Sequence, residues 1–130
     1  MGKQHSSEGL KRFLKEKIRT VLRLEVLLLL HHHQPRAFTP LEVANELAFE
    51  NDATAQELRE LEAIGVVVRS KNDKSKYSYH PLTATLDSMV EELAAGYSRQ
   101  RISILTVILA QQRDRTRLFT EAFKIIRSND

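Results

Sequence analysis

The stretch Thr20 to His33 holds six leucines (Leu22, Leu24, Leu27, Leu28, Leu29 and Leu30), and nothing else in the chain is so restricted in what it can become. Wound as a helix, its apolar residues cover most of the circumference, so it must be packed on several sides rather than laid on a surface. Pro35 ends it, because the residue before a proline is driven out of the helical region. A chain of 130 residues has room for one core around such a helix, and a single domain over 1–130 is expected.

The flanking segments supply amphipathic partners. Upstream, Ser6 or Ser7 is expected to cap a first helix whose apolar positions Leu10, Phe13, Leu14 and Ile18 recur at helical spacing, with the cations mostly on its other face. Downstream, Ala37 and Phe38 form a short extended piece. Thr39-Pro40 then opens a helix, with a hydroxyl at the N-cap and proline at the first helical position. Leu41, Val43, Ala44 and Leu47 are its expected buried face. The chain turns around Phe49 to Asn51, and Asn51 or Asp52 is expected to cap a further helix through Leu58, Leu61 and Ile64, which Gly65 terminates.

Two runs of strand character, Val66 to Ser70 and Lys76 to His80, flank the polar segment Lys71-Asn72-Asp73-Lys74-Ser75 and predict a hairpin. Past Pro81, the residues Leu82, Leu86, Met89, Val90, Leu93 and Tyr97 mark an amphipathic helix. Ile102 to Leu109 is read as helix from its place between helical patterns, and Leu118, Phe119, Ala122, Phe123 and Ile126 mark a last one. The fold class is therefore mainly α with a small β-hairpin.

Whole classes of chemistry drop out. There is no cysteine, which removes disulfides, thiolate zinc sites and cysteine nucleophiles together. The four glycines are scattered, so no phosphate-cradling loop exists. Consecutive helical residues point about 100° apart, so His31, His32 and His33 do not converge on one ion. Glu60, Glu62, Glu91 and Glu92 sit in exposed-looking helical contexts with nothing adjacent to perturb them. A binding protein without metal or cofactor is expected, not an enzyme. The longest apolar stretches, Val26 to Leu30 and Ile102 to Ala110, are far short of a membrane span, and the polar start lacks a signal-peptide core, so a cytoplasmic protein with no membrane contact is expected.

Charge is segmented along the chain. Residues 1–36 carry +5, 37–64 carry −6, 65–80 carry +3, 81–96 carry −3 and 97–130 carry +4. The hairpin is thus basic, while the two short helices before it are acidic.

The order helix, short strand, helix, turn, helix, hairpin is the layout of a winged helix-turn-helix, here about residues 20–83. Phe38-Thr39-Pro40-Leu41-Glu42-Val43-Ala44 resembles the opening of the first motif helix in MarR-like transcriptional regulators. The spacing Leu58, Leu61, Gly65-Val66-Val67-Val68-Arg69 resembles their recognition helix running into the wing. Asp73-Lys74 and Leu82-Thr83 resemble the wing tip and the start of the following helix. The likeness covers roughly residues 39–83. It departs from the family at Gln56 and Glu60, where arginine is frequent, and two residues after Asp73, where the family's wing arginine is missing.

The resemblance implies a homodimer that binds duplex DNA, with the recognition helix in the major groove and the wing on the backbone or minor groove. On it, Arg69, Lys71, Lys74 and Lys76 are the candidate wing contacts. Thr54, Gln56, Glu57, Arg59 and Glu60 are the candidate DNA or partner contacts of the recognition helix, and Lys11, Arg12 and Lys15 are backbone contacts from the first helix. The C-terminal helices, about 84–127, would form the dimer or partner interface through Ile102, Leu105, Leu109, Phe119 and Phe123. With Leu58 and Leu61 facing the core, Asp52, Gln56, Glu57 and Glu60 are expected outward, against the negative charge of DNA. That acidic face supports a second reading, a winged helix used to bind another protein.

Overall fold

The computed structural model describes residues 2–110, with side chains from Glu8 onward. Helix α1 spans Gly2–Phe13 and passes into a π-helical turn, Leu14–Ile18, closed by the Arg19 amide donating to the Leu14 carbonyl. Ser6 and Ser7 lie inside α1 rather than capping it, because the helical backbone already begins at Gly2. Leu10, Phe13, Leu14 and Ile18 are all buried, so the predicted apolar stripe survives the change of helical pitch.

Helix α2, Val21–His32, is capped by the Thr20 hydroxyl, which accepts from the Arg23 amide at 3.0 Å. Leu24, Val26, Leu27 and Leu30 are buried, and Leu22, Leu28 and Leu29 pack partly buried against the same core. It touches helix α3 (Pro40–Leu47), helix α4 (Asn51–Ile64) and the second hairpin strand, as a helix without a polar face must.

The start of α3 is fixed by a reciprocal capping box. Thr39 Oγ1 accepts from the Glu42 amide at 3.1 Å, and the Glu42 carboxylate accepts from the Thr39 amide at 2.8 Å. Val43 and Ala44 are buried and Leu47 is partly so, but Leu41 faces solvent, because it falls on the outer side of so short a helix. Neither Asn51 nor Asp52 caps α4. Glu50 occupies the N-cap position without a side-chain bond, and the Thr54 hydroxyl donates back to its carbonyl at 2.8 Å. Gly65 ends α4 at φ 98°, where a Cβ would also come within 3.1 Å of Leu82.

Strands β1 (Val67–Arg69) and β2 (Tyr77–Tyr79) pair antiparallel, Val68 opposite Ser78. Phe38 adds one bridge to Tyr77 through two backbone bonds of 2.8 and 2.7 Å, tying the segment before α3 to the wing. Tyr77 and Tyr79 are buried on one face, and the Tyr79 hydroxyl donates to Asp87. Helix α5, Ala84–Tyr97, starts at the Thr83 cap, which leaves Leu82 outside it and exposed. It packs against α1, with Met89 beside Gly9. Residues 101–110 are helical (α6) and bury Ile104 and Ile108.

One polar contact ties α4 to the central helix. The two Glu57 oxygens accept from Arg23 Nε at 2.9 Å and Thr20 Oγ1 at 2.8 Å, and the same guanidinium donates to the Lys17 carbonyl at 2.8 Å. Both charged side chains are only 12% exposed. Glu57→Ala should therefore cost about 2–4 kcal/mol of unfolding free energy, since it strands a largely buried guanidinium. Glu60→Ala, nearer the surface, should stay within about 0.5 kcal/mol of wild type. Urea denaturation of both variants checks this, and equal losses would mean that the Glu57 pair carries no special weight.

Candidate nucleic-acid interface

The faces of α4 are set by its packing. Thr54, Leu58 and Leu61 point inward, while Asp52, Gln56, Arg59 and Ala63 are exposed at helical spacing along the outer side. Two of the candidate contacts change place. Thr54 is completely buried, its hydroxyl spent on the Glu50 carbonyl, so it offers nothing to a ligand. Glu57 is turned inward onto Arg23 and Thr20, not outward as expected. The sequence did hold a signal for Thr54, which stands four residues before Leu58 and seven before Leu61 on one stripe.

The remaining three candidates form a continuous polar string. Arg59 Nη2 donates to the Gln56 carbonyl oxygen at 2.7 Å, and the Gln56 amide nitrogen donates to Glu60 at 3.0 Å. The outer face of α4 is consequently far less acidic than its composition. Of the acids between 37 and 64, Glu57 is spent on Arg23 and Glu62 on Arg69. Glu42 is held by the Thr39 backbone amide, which outweighs the opposing effect of burial and, with the Thr39 hydroxyl and nearby Lys76 and Arg36, keeps its carboxyl below the usual range. Glu46, Glu50 and Asp52 stay exposed around the α3–α4 turn.

In the wing, Asp73 accepts from both the amide and the hydroxyl of Ser75, which folds the tip. The Ser75 hydroxyl is the main reason its carboxyl sits below the usual aspartate range. Among the described residues, Lys71 and Lys74 have no ion-pair or hydrogen-bond partner and project from the exposed tip. The other two wing candidates are partly committed. Arg69 pairs with Glu62 at 3.1 Å and lies over the Tyr77 ring, while half-buried Lys76 sits near Glu42 and Asp73.

Lys11, Arg12 and Lys15 are exposed. They belong to α1 and the π-helical turn, and α1 packs on α5. On α6, Ile102 is 81% and Leu109 51% exposed, whereas Leu105 packs partly buried against the core. Phe119 and Phe123, with the expected last helix, lie outside the described residues. The histidine run splits up. His31 meets Glu91 and the edge of Tyr79, His33 packs on Phe38, and His32 lies edge-on to His33. Among the described residues no group of three or more His, Cys, Asp or Glu is placed to hold a metal, and no helix is long and apolar enough to cross a membrane.

No protein-family model matches the sequence, and no curated protein does. Solved structures do match the fold. The transcriptional regulator PA3341 superposes with a TM-score of 0.53 at 22% identity, over 98% of this chain and 93% of that one. MepR, a transcription regulator of the Staphylococcus aureus multidrug efflux pump MepA, gives a TM-score of 0.50 at 17% identity, over 98% and 95%. The fold is thus the winged helix that these structures share, mainly α with a small β wing.

The tip turn makes a measurable prediction. Asp73 should titrate below a free aspartate, and Ser75→Ala should move its midpoint back up, as read by carboxyl-carbon NMR. Because its folded value is depressed, the turn is supported above the unfolded value and loosens as pH falls through the folded one. An unmoved midpoint in Ser75→Ala would mean that the hydroxyl does not hold the tip.

Proposed function

We propose that this chain is a DNA-binding transcriptional regulator acting as a homodimer, with α4 in the major groove and the wing tip on the phosphate backbone. The observation that carries this reading is the wing tip. Its one acid is folded into the turn, leaving Lys71 and Lys74 exposed and uncommitted among the described residues. Lysines so placed release the counterions condensed on DNA, which is the main source of affinity for a duplex. The pairing of Glu57 with Arg23 and of Glu62 with Arg69 supports the same reading, since it leaves only Asp52 and Glu60 against Arg59 on the outer half of α4. That PA3341 and MepR, which share the fold, are transcription regulators agrees with it.

What supports the dimer is α6. Ile102 and Leu109 stand exposed beside buried Ile104 and Ile108, and a closed two-fold pair is the commonest way to cover such a face. Two copies would present two α4 helices to successive major grooves, about 34 Å apart.

Both parts are testable. In a salt titration of binding to random duplex, Lys71→Gln with Lys74→Gln should flatten the log–log slope by about 0.9 for each phosphate contact removed. Adding Lys76→Gln should change it less. An unchanged slope would exclude the wing, and no binding by wild type at about 50 mM salt would overturn the regulator reading. In sedimentation at micromolar concentration, wild type should run as a pair of 15.0 kDa protomers and Ile102→Glu with Leu109→Glu as one. A single 15.0 kDa species for wild type would refute the dimer.

A further inference from the structure

We propose that Arg59 is the residue of α4 that reads sequence, by taking a guanine in the major groove, and that Gln56 is the positioning residue that aims it. This rests on the DNA-binding reading above and goes further, to the base recognised. Asn51 and Asp52 are exposed in the first turn of α4, and beyond that turn three longer polar side chains stand exposed or half-exposed on its outer half, namely Gln56, Arg59 and Glu60. Their mutual hydrogen bonds decide among them.

Gln56 would suit adenine, which asks for one donor and one acceptor, but both ends of its amide are in use. Its oxygen accepts from Arg59 and its nitrogen donates to Glu60. Glu60 would suit the amino group of cytosine, but it is half-buried and one of its oxygens holds Gln56. Arg59 is the only cation between residues 37 and 64 and is fully on the outer side. Its guanidinium has five N–H groups, of which Gln56 occupies one, leaving enough for the paired N7 and O6 acceptors of guanine.

The string also fixes direction. Gln56 stands three residues before Arg59 and four before Glu60, so its amide is pinned from both sides and holds one edge of the guanidinium. Fewer rotamers then have to be frozen when the base is met. Exposed Ala63, at the far end of the stripe, and Ala53, beside Asp52 at its near end, leave room for the groove wall to approach. Lysines of the wing reach phosphates, which carry no sequence information, so discrimination falls on α4, whose one cation is the group suited to guanine.

The test is selection from a randomised duplex pool with the full chain, followed by affinity measurements on the selected site and on copies with the enriched guanine changed to adenine. Wild type should enrich a guanine and lose about 5- to 150-fold on the change. Arg59→Ala should bind both duplexes with nearly equal affinity. Gln56→Ala should keep its binding to random duplex yet lose part of the guanine-over-adenine ratio, a readout that a merely structural role would leave alone. Circular dichroism checks that these surface variants fold. An unchanged guanine preference in Arg59→Ala, or a wild type that binds duplex with no base preference, would overturn this inference while leaving the regulator reading intact. A wild type that binds no duplex at all would overturn both.

Discussion

The contact on which the rest of the molecule depends is the one between Glu57 and the start of α2. A helix-turn-helix works only if its second helix is held at a fixed rotation, because turning a helix by one residue replaces its whole outer stripe. Apolar packing of Leu58 and Leu61 seats α4 on the core but tolerates some rolling. The two oxygens of Glu57 do not, since they are bound by Arg23 on one side and Thr20 on the other. Arg23 is in turn tied to the Lys17 carbonyl, so one guanidinium joins the π-helical turn, α2 and α4. With this rotation fixed, Asp52, Gln56, Arg59 and Ala63 form the presented stripe.

The same contact is one of several that lessen the conflict between an acidic motif and the polyanionic ligand proposed for it. Acidic residues in the two motif helices serve different ends, and those spent on caps and internal pairs add little to the field outside. Glu42 closes a capping box, Glu57 anchors the helix and Glu62 steadies Arg69 at the base of the wing. In the wing, Asp73 is held in the tip turn by Ser75 while the neighbouring Lys71 and Lys74 stay available. Charge counted along a sequence and charge presented on a surface are different quantities here.

Most of the fold was legible because it rests on local signals. The leucine run set the central helix, Thr39-Pro40 and Gly65 set helix ends, and alternation at Tyr77 and Tyr79 set the buried face of the hairpin. The errors have specific causes. Leu41 and Leu82 are apolar residues at the ends of elements, where periodicity no longer says which way a side chain points. Glu57 finds its partners 34 and 37 residues away, a distance at which no spacing rule operates. The string Gln56, Arg59 and Glu60 obeys the three-and-four spacing of a helix face and was half visible. Which of its members kept hydrogen-bonding groups to spare required the geometry.

The most direct test of the account is a map of backbone amide shifts on titrating the chain with a short duplex. Amides of Gln56, Arg59, Ala63, Lys71 and Lys74 should move together, while those of Leu58, Leu61 and α5 change little. Shifts confined to α1, or to the acidic turn at Glu46, Glu50 and Asp52, would contradict the claim that α4 and the wing tip form one DNA-facing surface.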